Sequence, residues 1–156
     1  MARRCRRPIS MGFWLWRCIT QEPSQSTSTA AQAVLDFIEE HNLRTNCTDT
    51  GAYLRGRLEE LKDKHEIIGD VRGMGLLQAV ELVLDRKTKA PATAETAMAL
   101  EAARENRLLV GKGGMYGNVL RISPPMNVGR GDVDQFIERL DYSLTACGAL
   151  ASGSAR

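Results

Sequence analysis

Nine residues at positions 76–84, LLQAVELVL, are apolar except for Gln78 and Glu81. So near-continuous an apolar run fits a largely buried strand over Gly75–Leu84, not a surface one. Gly69, Gly73 and Gly75 bracket its start, where the backbone turns sharply or passes close to something that a side chain would block. The helical pattern is already lost over Ile67–Val71, without a strand being assigned there.

The flanking segments carry helical spacing. From Thr29 onward, Ala33, Val34, Phe37, Ile38 and His41 share one face, with Ser28 or Thr29 available as N-cap and Asn42 as a stop. A second helix is predicted over Thr50–Lys64, where Tyr53, Leu54, Leu58 and Leu61 form a stripe opposite Glu59, Glu60, Lys62, Asp63 and Lys64. Thr93–Asn106 is an alanine-rich helix, with Asn106 suited to a left-handed C-terminal cap. Leu108–Val110 and Val119–Ile122 read as short strands around the loop GKGGMYGN, and Pro124-Pro125 ends the second. Asp132 can cap a last helix in which Val133, Phe136, Ile137, Leu140 and Leu144 align. The order predicts an α+β fold, a small and mainly antiparallel sheet of about three strands packed against about four helices. The domain reading is an Arg-rich arm over 1–28, a folded unit over 29–146 and a flexible tail over 147–156.

Charge is segregated along the chain. Residues 1–28 hold five arginines against Glu22, a net of +4, and the rest holds 16 basic against 18 acidic residues, a net of −2. The folded part is therefore mildly acidic, which counts against nucleic acid as its partner. A hydrophobic share of 43% with 26% charged residues excludes collagenous, acidic-disordered and multi-span membrane chains. No segment approaches the roughly 20 apolar residues that span a bilayer, so no membrane partner is expected. The arm has no acidic residue before Glu22 and turns from Arg-rich to Ser/Thr-rich, a composition that fits an organellar transit peptide. Mitochondrial localisation is the reading; a leader without an address leaves the cytoplasm as the alternative.

Cys5, Cys18, Cys47 and Cys147 are scattered with no C-x-x-C pair, and His41 and His65 are the only histidines. No zinc grouping exists. Cys47 reads as a small buried or half-buried residue of a reducing compartment. Both histidines lie near helix ends, where imidazole meets unpaired carbonyls. Neither GKGG nor GDVRGMG has phosphate-loop or dinucleotide spacing. The lysines at 62, 64, 87 and 89 lie in charged runs, and Lys112 sits on a glycine loop, so none resembles a Schiff-base lysine.

One residue stands out. Arg121 occupies the middle of a short apolar strand and points opposite to Leu120 and Ile122. An unpaired buried guanidinium is very costly, so Arg121 either faces solvent or meets an anion, and its planar fork suits a carboxylate. The residues alone favour solvent.

The segments AVLDFIEEHNL, HEIIGDVRGMGLLQAVELV, NRLLVGKGGMYGNVLRISPPMNV and DVDQFIERLDYSL together resemble the C-terminal small domain of class III aminotransferases. Within that family they are most similar to the alanine–glyoxylate type-two group in its plant and algal form, over about Ala30 to Leu144. The resemblance implies a fold-type-I transaminase that uses pyridoxal 5′-phosphate, works as a homodimer and moves an amino group from alanine or a related donor to glyoxylate or another oxo acid. It places the arginine of the R-x-x-P-P segment, here Arg121, at the active site, against a substrate carboxylate or a neighbouring glutamate. The loop residues Gly113, Gly114 and Tyr116 then lie close to the substrate entrance, together with Met115 and Gly117.

The family's cofactor lysine, pyridine-pairing aspartate and phosphate loop belong to a preceding large domain. Where a T-F-G-G-N-P segment should lead into the first helix, this chain reads SQSTSTAAQAVLDF. The expectation is a fragment, a truncated gene model or a splice form. It is expected to bind no cofactor by itself and to be inactive alone. The alternative is a non-catalytic interaction module that pairs with a full-length transaminase subunit.

Overall fold

The computed structural model describes the backbone of residues 25–153 and the side chains of residues 28–147. The arm before residue 25 and the last three residues lie outside the described residues, as do Cys5 and Cys18. The chain divides after His41 into two compact units.

Helix α1, Gln25–Glu40, belongs to the first unit. It starts upstream of Ser28 and Thr29, so neither is its N-cap. Asn42 adopts the left-handed conformation, φ 49° and ψ 37°, as a helix stop of this residue type does.

The second unit begins with α2, Leu43–Lys64, two turns earlier than its leucine stripe indicates. The inward positions of those turns, Leu43, Asn46 and Cys47, are only half-buried, too weak an apolar pattern to show the helix. Strands β1, Ile68–Met74, and β2, Leu77–Asp85, form an antiparallel hairpin. Gly75 opens its two-residue turn with φ 54°, a conformation that glycine adopts without strain. A two-residue β3, Ala90–Pro91, pairs with β2 and leads into α3, Thr93–Glu105. The left-handed residue after α3 is Arg107, φ 59°, and not Asn106.

Strand β4 is Gly111–Gly113 and β5 is Val119–Ile122. Pairing starts at Gly111 instead of the expected Leu108–Val110. With Gly111 opposite Arg121, residues 108–110 would fall opposite the stretch that runs into Pro124, which has no N–H to offer. Helix α4, Arg130–Gly153, completes the unit and continues into the stretch read as a tail. Asp132 does not precede α4 but lies in its first turn and reaches back, its carboxylate accepting the Gly129 N–H at 3.0 Å, the reciprocal half of a capping box.

The sheet order is β1-β2-β5-β4, all antiparallel, with β3 on β2. This is the expected α+β architecture, with five strands and four helices among the described residues. One face of the sheet carries Val71, Val80, Leu82, Leu120 and Ile122 into a core with Leu54, Leu58 and Leu61 of α2 and Val133, Ile137, Leu140 and Leu144 of α4. Arg86 closes the C-terminal end of α2: its guanidinium donates to the carbonyls of Lys62, His65 (3.0 Å), Glu66 (3.2 Å) and Ile68 (3.1 Å). One side chain thus ties the last turn of α2 to the start of β1.

Two glycines of α2 predict opposite outcomes. A Cβ at Gly51 would lie 2.3 Å from the backbone carbon of Gly75, whereas one at Gly56 would meet nothing within 4 Å. Gly51→Ala is expected to destabilise the fold by about 2 kcal/mol or more through overpacking against rigid backbone. Gly56→Ala is expected to stabilise it by up to about 1 kcal/mol through helix propensity. Urea denaturation of both variants checks the two signs.

Candidate anion site on the open sheet face

The antiparallel register assembles a row of side chains on the sheet face away from the helices. Arg72 of β1 lies opposite Ala79 of β2, Ala79 opposite Arg121 of β5, and Arg121 opposite Gly111 of β4. Directly opposed residues share a face, so Arg121 stands between the two smallest neighbours available. A Cβ at Gly111 would lie 3.4 Å from Arg121 Nε and 3.6 Å from its Cβ; the bare glycine leaves room for the arginine stem. Arg121 is exposed, and among the described residues its guanidinium has no hydrogen bond or ion pair.

The adjacent row is Asp70, Glu81, Val119 and Gly113. Arg72 is clasped there by two carboxylates, Glu81 at 2.5 Å and Asp70 at 3.1 Å. The hydrogen bond from Arg72 holds the Glu81 carboxyl below the usual carboxylate range; partial burial opposes this and a hydrogen bond from Asn118 assists it. Asn118 itself is buried and anchored on the Leu82 carbonyl at 2.9 Å.

Gly113 ends β4, and Gly114 to Gly117 form the turn to β5, closed by the Gly117 N–H on the Gly114 carbonyl at 3.2 Å. Gly114 has φ 82°, and a Cβ there would meet Val119 Cγ2 at 2.7 Å, so glycine is required on both counts. Tyr116 is 64% exposed and Met115 93%. Thr93 at the start of α3 donates to the Tyr116 carbonyl at 2.8 Å.

A cleft of about 420 Å3 lies beside the β4 edge. Its walls are Leu54, Val128, Val133 and Phe136 from the helical side, with Leu109 to Gly111, Arg121 to Pro124, and Asp132. The helices in its wall cover the face opposite to the one on which Arg121 stands, so the cleft opens around the sheet's edge. Asn46 of α2, absent from the sequence-based candidates, fixes this wall. Its Nδ2 donates to the Met126 carbonyl at 2.7 Å and to Val128 at 3.0 Å, and its Oδ1 accepts from Thr50 at 3.1 Å.

The remaining candidates have structural partners. The His41 ring packs on Phe37, centroids 4.2 Å apart, instead of meeting helix carbonyls. His65 caps α2 in extended conformation, yet its Nε2 pairs with Asp141 of α4 at 2.6 Å, where Lys64 also binds at 2.5 Å. Cys47 is half-buried, as expected. Cys147 is fully buried, and burial raises its thiol pKa, a direction that Glu95 reinforces. No group of three or more His, Cys, Asp or Glu among the described residues could hold a metal ion, and none of the described helices is long and apolar enough to cross a membrane.

The chain itself belongs to a known family. The chain matches the class-III aminotransferase family over residues 22–144 and is a member of it. That match begins several residues before Thr29. Over 119 residues it is 50% identical to a protein of Arabidopsis thaliana named alanine–glyoxylate aminotransferase 2 homolog 2, mitochondrial, covering 76% of this chain and 25% of that one. It is also 36% identical to an alanine/serine racemase of Pyrococcus horikoshii over 126 residues, 81% of this chain and 26% of the racemase. A Bacillus anthracis aminotransferase of known structure superposes with a TM-score of 0.71 at 32% identity, over 74% of this chain and 27% of that one. The chain thus spans about a quarter of the length of the curated relatives it matches.

Class III aminotransferases depend on pyridoxal phosphate. The described residues do not fit it as a covalently held cofactor. No lysine lines the cleft. Lys64, Lys87, Lys89 and Lys112 are exposed, and Lys62 is half-exposed and paired with Glu59, so none lies in the apolar surroundings that lower a Schiff-base lysine's pKa.

The Asp141 cluster predicts an acid limb in stability. Burial opposes ionisation of Asp141, but hydrogen bonds from Lys64 and His65 outweigh it and hold the carboxyl below its ordinary value. A depressed carboxyl contributes stability that is present above the unfolded-state pKa of about 3.9 and is lost as pH falls through the folded value. Asp141→Asn is expected to flatten that limb and to cost under about 1 kcal/mol at pH 7, since the pair is partly solvated; thermal melts from pH 2 to 7 measure it.

Proposed function

We propose that residues 30–144 are the C-terminal small domain of a transaminase that moves an amino group from alanine or a related donor to glyoxylate or another oxo acid, and that Arg121 receives the substrate carboxylate. The observation that carries this reading is the placement of Arg121: central in a strand, flanked by Ala79 and Gly111, and without a carboxylate partner among the described residues. A guanidinium held on a rigid sheet offers a carboxylate two parallel hydrogen bonds. Similarity to an alanine–glyoxylate aminotransferase homologue supports the donor and acceptor class. Gly113, Gly114 and Tyr116 shape the approach to that site, with the exposed Tyr116 at its edge.

In the family's mechanism pyridoxal phosphate supplies the electron sink. The lysine that would hold it has no counterpart among the described lysines, and on that basis this 156-residue stretch by itself is read as neither cofactor-bound nor active. The whole enzyme works as a homodimer, and the Arg-rich arm together with the name of the Arabidopsis relative favours mitochondria, the cytoplasm being the alternative. A second reading, an interaction module that pairs with a full-length subunit, is favoured by the open sheet face, where Met74 and Leu77 are 87% and 58% exposed. Retention of a full-length transaminase on the tagged chain supports it, and a well-behaved lone monomer opposes it.

Titration of the 15N-labelled chain with pyruvate at low ionic strength is expected to shift the Arg121 Nε–Hε signal saturably, with millimolar affinity, and the response is expected to vanish in Arg121→Gln. An unresponsive signal overturns the carboxylate role. Incubation with pyridoxal phosphate followed by borohydride is expected to leave no lysine specifically reduced; a single labelled lysine refutes the inactivity.

A further inference from the structure

The carboxylate diagonal to Arg121 on the open sheet face is engaged by another arginine. On the open sheet face Glu81 lies two residues along β2 from Ala79, and Ala79 is the cross-strand partner of both Arg72 and Arg121. Glu81 is therefore the diagonal neighbour of two arginines, one on each side. Diagonal positions on one face are about 7–8 Å apart, within reach of long side chains. The structure shows one of the two pairings: Glu81 Oε2 binds Arg72, and Glu81 Oε1 accepts a longer contact from Asn118 at 3.4 Å. Asp70 holds Arg72 from the other side at 3.1 Å, which fixes the guanidinium of Arg72 between two acids and turns the Glu81 carboxylate towards β1.

From this geometry we infer that Arg72 is a positioning residue for the anion site: by occupying Glu81 it keeps that carboxylate off Arg121 and leaves Arg121 open to a carboxylate from solution. The inference rests on the proposed role of Arg121 and extends it to how the site is kept vacant. Glu81 and an incoming carboxylate compete for one guanidinium, so the apparent affinity for the ligand falls by the fraction of Arg121 that Glu81 engages. Arg72 sets that fraction. Asp70 does not substitute as competitor, because it lies a further strand away, on β1.

The test uses the full 156-residue chain, with the Arg121 Nε–Hε signal assigned by its loss in Arg121→Gln and with pyruvate as the carboxylate. In Arg72→Met the released Glu81 is expected to bond Arg121, moving its Nε–Hε signal and slowing its exchange with water. Pyruvate affinity is expected to fall about fivefold, the scale of an exposed ion pair. The double variant Arg72→Met/Glu81→Gln is expected to return both the signal and the affinity to wild-type values, and Arg72→Lys to stay close to wild type. An Arg121 signal unchanged in Arg72→Met overturns the inference, and so does a double variant that does not recover, since a purely structural role of Arg72 would not be reversed by neutralising Glu81. If the signal moves and recovers as expected while pyruvate leaves the wild type unaffected, the role of Arg72 stands and the substrate role of Arg121 falls.

Discussion

Strand β2 is the part on which the other elements depend. It bonds to β1 along one side and to β5 and then β3 along the other, and Val80 and Leu82 have no solvent exposure at all. Those two side chains face α2 and α4, while Ala79 and Glu81, alternating with them, face the open side. A shift of one residue in either pairing would send the apolar set outward and the ionic set inward. The hydrophobic demand of one face thus fixes, residue by residue, which groups meet on the other. The position of Arg121 is a by-product of core packing.

Three arginines show how differently one residue type is employed in this small unit. Arg86 spends its donors on four carbonyls between the last turn of α2 and the start of β1. Arg72 is clasped by Asp70 and Glu81. Arg121 meets neither carbonyl nor carboxylate among the described residues. Nothing local distinguishes them, since all three follow apolar or acidic neighbours in or beside strands. Their roles are set by which elements the register brings alongside, and recognition capacity is left where internal demand is absent.

The sequence was most legible where periodicity carries the energy. The leucine stripe of α2, the apolar run of β2 and the spacing from Val133 to Leu144 each correspond to buried faces, and the alternation around Arg121 correctly set it apart from Leu120 and Ile122. Family membership was legible too, from several motifs in one order. The first two turns of α2 were hidden because their inward positions are few and weakly apolar: Asn46 bonds to Thr50 and to the chain after β5 instead of entering the core. Strand β4 was misplaced by three residues because its position depends on the partner strand running into prolines. The clasp of Arg72 joins side chains from two strands across a hairpin, and only the observed register reveals it.

The approach of Gly51 to Gly75 carries a mechanical implication. The α2 backbone rests directly on the tip of the β1–β2 hairpin, so this junction is set by main chain alone and has no rotamers through which to relax. Side chains elsewhere in the core can exchange volume with their neighbours and drift over time. This joint cannot, and it gives the sheet a hard stop against the helix. The ionic row on the opposite side of the sheet thus shares its strands with a hairpin whose tip cannot move closer to α2.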